Sequence, residues 1–67
     1  MEVFAERLKE VRTERKMSAF ALSKVLGVSH STIIRWECGA ILPSIEHLYN
    51  IAKYFGVTAD YLIGLED

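Results

Sequence analysis

Cysteine is nearly absent from this 67-residue chain: Cys38 stands alone, which excludes an intrachain disulfide and leaves a metal site too few ligands. His30 and His47, the two histidines, are not spaced to complete such a site, and no metal or other cofactor is expected. Proline occurs once, at Pro43, and glycine four times, so there is neither a proline-rich linker nor a glycine-rich phosphate cradle. No apolar run approaches the roughly 20 residues of a membrane-spanning helix, and no secretory leader is expected. With its single thiol, the chain is expected in a reducing cytoplasm. Paired carboxylates in an apolar setting are missing, as is a nucleophile beside a base. An enzyme is therefore not expected, and no small-molecule ligand is evident. The length allows one core and one domain over residues 1–67.

Net charge is lacking too, since 8 Lys and Arg face 9 Asp and Glu. The distribution is uneven, however. Residues 1–39 carry Arg7, Lys9, Arg12, Arg15, Lys16, Lys24 and Arg35 against five acids, whereas residues 40–67 carry Lys53 against four. From Arg15 to Trp36 there are four bases and no acid, the pattern of a phosphate-facing surface.

Hydroxyl residues and glycines divide the chain into five helical segments, and no alternating pattern suggests a strand. Helix one is expected from about Val3 to Lys16, burying Phe4, Leu8 and Val11. Glu2, Glu6, Glu10 and Glu14 form its solvated face. Helix two follows the cap Ser18, with Met17 as a staple, turns Leu22, Val25 and Leu26 inward and stops at Gly27. Helix three follows Ser29 and runs to about Cys38, burying Ile33 and Trp36. Helix four follows Ser44, burying Leu48, Ile51, Ala52 and Phe55 before Gly56. A short fifth helix follows Thr58, with Tyr61, Leu62 and Leu65 apolar.

Helices two and three, joined by three residues around a glycine, have the form of a helix-turn-helix over about residues 18–38, whose second helix enters the major groove. If Ile33 and Trp36 face inward, then His30, Ser31, Ile34 and Arg35 face outward. Arg35 has the geometry to donate two bonds to guanine, Ile34 suits a thymine methyl, and His30 and Ser31 suit base edges or phosphate. Arg15, Lys16 and Lys24, with Ser18, Ser29 and Thr32 at the helix starts, are candidate phosphate contacts. Each has a plainer reading: the cations as ordinary surface charges, Met17 and Phe20 as packing, Trp36 as core, and Cys38 as a buried or half-buried small residue.

The segments LSKVLGVSHSTIIRWECG and LPSIEHLYNIAKYFGVTADYLIGL resemble the phage repressor and Cro (XRE-like) family from Phe4 to Leu65. The resemblance implies an all-α, lambda-repressor-like bundle of five helices that regulates transcription by binding double-stranded DNA, most often as a repressor. It further implies an ion pair between Arg12 and Glu37, and a homodimer around the last helix through Tyr61, Leu62 and Leu65, reading a palindromic operator. Two positions depart from the family pattern: Ala19 replaces the usual glutamine, and Ala40 a frequent lysine or arginine. Both replacements remove phosphate contacts, and Ala40, Ile41 and Leu42 form an apolar patch that either packs inside or meets another protein. These departures support an alternative, a protein-interaction or antitoxin-like module on the same fold.

Overall fold

In the computed structural model, which describes residues 1–67, the helices are α1 (Glu2–Glu14), α2 (Ala19–Leu26), α3 (His30–Glu37), α4 (Ile45–Phe55) and α5 (Ala59–Ile63). There are no strands. Four helices start at a hydroxyl that accepts from a backbone N–H three residues on. Ser18 accepts from Ala21, Ser29 from Thr32, Ser44 from His47 and Thr58 from Tyr61. Each bond satisfies one of the donors that a helix start leaves free. Helix α1 begins at Met1 without such a cap.

All five helices end alike, in a backbone bond that spans five residues. Met17 donates to the Arg12 carbonyl, Val28 to Ser23, Ala40 to Arg35, Val57 to Ala52 and Leu65 to Asp60. This closure requires a left-handed residue just past the helix. Glycine fills that position after α2, α3, α4 and α5, but after α1 it is Lys16, with φ 57°. Lys16 thus stops α1 two residues earlier than its apolar pattern predicts.

The five amphipathic faces meet in one core. Phe4, Leu8 and Val11 come from α1, Ala19 and Leu22 from α2, Ile33 and Trp36 from α3, Ile51, Ala52 and Phe55 from α4, and Leu62 from α5. Leu48 and Leu26 pack against it, partly buried. Helix α1 spans the back of the bundle against α3 and α5, while α2 packs on α3 and α4.

Several expectations are corrected here. Val25 is 46% exposed, because the buried stripe of α2 runs through Ala19, Leu22, Ser23 and Leu26 and leaves Val25 on its flank. Phe20, expected as packing, lies beside the same stripe and is 55% exposed. Cys38 is exposed, its thiol directed back to the Arg35 carbonyl. Ile41 and Leu42 do not pack inside; both face solvent.

The left-handed conformation of an L-residue costs about 1–2 kcal/mol, and glycine escapes this at an entropic cost of about 0.5–1 kcal/mol. Lys16→Gly should therefore stabilise the fold by about 0.5–1 kcal/mol. Thermal denaturation followed by circular dichroism would show a Tm a few degrees higher, and an unchanged or lower Tm would contradict this account of the α1 terminus.

Candidate nucleic-acid interface

Helices α2 and α3 are linked by Gly27, Val28 and Ser29, with Gly27 left-handed at φ 70°. Ser23 is the one buried polar residue of the chain, and its hydroxyl donates to the Phe20 carbonyl at 2.6 Å. That internal bond lets α2 lie close against α3 without stranding a polar group.

On α3, Ile33 is fully enclosed and Trp36 nearly so, its ring tilted against His47 at 5.4 Å. Burial on this side fixes what the other side presents. His30, Ser31, Ile34 and Arg35 are all exposed, with Ile34 showing 47% of its surface. Arg35 forms no ion pair. At the start of α3 the Ser29 hydroxyl lies 3.1 Å from that of Ser31 and 2.8 Å from that of Thr32, which is half-buried. Three hydroxyls thus gather where the helix dipole is positive.

The candidate phosphate contacts divide. Lys16 and Lys24 are exposed, and the Lys24 ammonium lies 5.0 Å from the centre of the Phe20 ring. The Ser18 hydroxyl is exposed at the start of α2 while it caps that helix. Arg15 is drawn elsewhere: its guanidinium donates to the carbonyls of Phe55 at 2.9 Å and Tyr54 at 3.4 Å, and lies over both rings. A cation at the carbonyl end of α4 is favoured by the helix dipole, so Arg15 has a structural role that a search for basic clusters does not reveal.

Behind α3, Arg12 clasps Glu37. Its Nε and one terminal nitrogen donate to the two carboxylate oxygens at 2.7 and 2.8 Å, and the other terminal nitrogen donates to the Met17 carbonyl at 2.8 Å. The hydrogen bond to Glu37 raises the Arg12 pKa further, against the opposing effect of burial. Both side chains are largely removed from water, 12% and 8% exposed.

The expected dimer residues are arranged otherwise than as one surface. Leu62 is completely buried in the core and is not available to a partner, because α5 packs this side against α1 and α4. Tyr61 is half-buried; its hydroxyl donates to Glu10, which pushes its pKa above the usual phenol value, and its ring lies 4.3 Å from the Arg7 guanidinium. Arg7 also donates to the carbonyls of Tyr61 and Glu66. Leu65 alone is fully at the surface, 73% exposed.

An arrangement of five short helices with the second and third set in this way defines the helix-turn-helix class. The chain belongs to that family: the Helix-turn-helix profile matches residues 8–62. It is 38% identical over 64 residues, 96% of its length, to the HTH-type transcriptional activator BcrR of Enterococcus faecalis. It spans 31% of the length of BcrR. The P22 c2 repressor protein, in a crystal structure with synthetic operator 9T, superposes with a TM-score of 0.85 at 32% identity, over 92% of this chain and 94% of that one. Hydroxypropylphosphonic acid epoxidase from S. wedmorenis matches with a TM-score of 0.82 at 34% identity, over 91% of this chain and 32% of the enzyme. No helix here is long and apolar enough to cross a membrane.

Because Arg12 and Glu37 lose most of their hydration, removing one partner strands the other. Glu37→Ala and Arg12→Ala should each destabilise by about 3 kcal/mol, at the low end for a buried pair since both retain some solvent contact. Urea denaturation of both single variants and the double variant checks this: the double should cost much less than the sum of the two singles.

Proposed function

We propose that this chain, acting as one unit over residues 1–67, binds double-stranded DNA sequence-specifically and regulates transcription, with α3 in the major groove. The observation that carries this reading is the two-sidedness of α3: Ile33 and Trp36 are locked in the core while Ile34 and Arg35 are presented to solvent from the same turn. A helix so anchored places an exposed isoleucine next to a free guanidinium, which suits a thymine methyl beside a guanine. His30 and Ser31 supply further base or phosphate contacts at the leading end. Lys16, Lys24 and the starts of α2 and α3, with Ser18, Ser29 and Thr32, hold the backbone phosphates. Arg15 has two of its five N–H donors engaged by α4 and contributes chiefly its positive field.

The similar proteins include both an activator, BcrR, and a repressor, P22 c2. Repression by occupying an operator requires nothing beyond binding, so the repressor reading is preferred. The role proposed is non-enzymatic; the similarity to the epoxidase covers a third of that enzyme and supports a shared helix-turn-helix unit. The cytoplasm is the compartment proposed, where DNA coincides with conditions that keep the exposed Cys38 reduced.

A homodimer would place two copies of α3 about 34 Å apart on a palindromic operator. With Leu62 in the core, the surface proposed for the second copy moves to Leu65, Tyr61 and the groove between α4 and α5. That groove has a volume of about 370 Å³ and is lined by Ile45, Leu48, Tyr49, Ala52, Lys53 and Ala59. Ile45 at its rim is 86% exposed. The same apolar groove favours the second reading, an interaction module that docks another protein there.

Selection from random duplexes should enrich one site, and Arg35→Ala should relax it at one symmetric position with a loss of about 1–3 kcal/mol. Affinity should fall with salt at a log-log slope of about −0.9 per phosphate neutralised; a flat salt response with no enrichment would favour the protein-docking reading. For the dimer, sedimentation equilibrium should show association that Ile45→Glu abolishes. Ile45 lies at the surface, so the variant should keep its fold, bind half-sites as before and lose its advantage on the full palindrome.

A further inference from the structure

An aromatic side chain outside α3 belongs to the same surface. Phe20, the second residue of α2, is 55% exposed although three apolar or small neighbours on the helix are not. Its ring meets the imidazole of His30, the first residue of α3, edge to face at 6.0 Å with an angle of 87° between planes. Lys24, one turn further along α2, sets its ammonium 5.0 Å from the centre of the same ring. A cation from the last turn of α2, a phenyl ring from its first turn and an imidazole from the first residue of α3 are thus joined in sequence. No core residue is needed for this cluster, so stability of the fold does not explain it.

Edge-to-face contact restrains a ring more than solvent does, and His30 has no hydrogen-bond partner of its own to fix its orientation. We infer that Phe20 is a specificity-determining positioning residue: it holds the His30 imidazole toward the base pair met by the leading end of α3. The inference rests on the DNA-binding reading above. Phe20 acts from the helix that crosses the phosphate backbone, so it links the backbone-contacting helix to the base-reading one. Lys24, held on the ring, stays on the phosphate side of the same junction.

The test uses the full chain and the duplex enriched by selection, with single-base-pair variants of it. Phe20→Ala should keep the circular dichroism spectrum and Tm of the parent, since the ring is outside the core. It should lose about tenfold in affinity for the best site, the scale of one aromatic pair, and level the preference at one base-pair position. His30→Ala should level the same position, and the double variant should be no worse than either single. Phe20→Tyr, which retains the ring edge, should restore the preference, whereas Phe20→Leu, apolar but without a ring, should not. The proposal is overturned if Phe20→Ala retains the full preference, or if Phe20→Leu retains it as well as Phe20→Tyr does. It is also overturned if Phe20→Ala weakens every duplex equally while the salt slope falls, because Phe20 would then serve only Lys24 and a phosphate. Failure of the parent chain to enrich any duplex would overturn the DNA-binding reading itself, and this inference with it; enrichment by the parent with an indifferent Phe20 would overturn the inference alone.

Discussion

The clasp of Arg12 on Glu37 and Met17 is the interaction on which the rest of the arrangement depends. One guanidinium spends three donors on two segments that no covalent connection brings together: the end of α3 and the linker that leads into α2. The planar fork suits a carboxylate with both oxygens accepting, and a lysine in its place would satisfy only one such contact at a time. With α1 as the fixed strut, both ends of the helix pair are referred to the same side chain. The angle at which α3 stands out from the bundle is therefore set from behind, while its front remains free of structural duties.

A division between back and front also governs the charges. The cations that are satisfied internally, Arg7, Arg12 and Arg15, all come from α1 or its C-terminal end, and each binds a helix end or a carboxylate of another element. Those left unpaired at the surface of the helix pair, Lys24 and Arg35, belong to α2 and α3. A near-neutral chain can in this way offer a locally positive face, since its acids lie along α1 or from Glu37 onward, outside the stretch from Arg15 to Trp36, and Glu37 is turned back onto Arg12. Field direction rather than net charge is what a polyanion would meet.

Much of the fold was legible because the helix boundaries are local. Ser18, Ser29, Ser44 and Thr58 cap within three residues of themselves, and Gly27 and Gly56 stop their helices with no help from distant groups. The faces of α1, α3 and α4 followed from spacing for the same reason. Legibility failed where the outcome depended on a partner several dozen residues away. A basic cluster does not disclose that Arg15 meets the carbonyl end of α4, and the apolar character of Leu62 does not say whether its neighbour is the core or a second chain. On α2, Val25 and Phe20 are as apolar as Leu22; only the width of the contact with its neighbours decides that they stay outside. Of the candidate site, the outward set on α3 could be deduced from Ile33 and Trp36, whereas the Phe20 contact crosses from one helix to the next and left no periodic signature.

Gly64, which closes α5, sits against Val3 so tightly that a Cβ at that position would lie 3.0 Å from the valine side chain. Residues near the two ends of the sequence are thus neighbours in space, and Arg7 fastens the same seam by holding the carbonyls of Tyr61 and Glu66. In topological terms the bundle is nearly a closed ring of helices, with the backbone gap at the α1 and α5 seam. The order in which the helices follow one another is then a property of the connections and not of the packing: a circular permutant joined across that seam and opened in the exposed Ala40 to Leu42 loop would retain every buried contact described for the core.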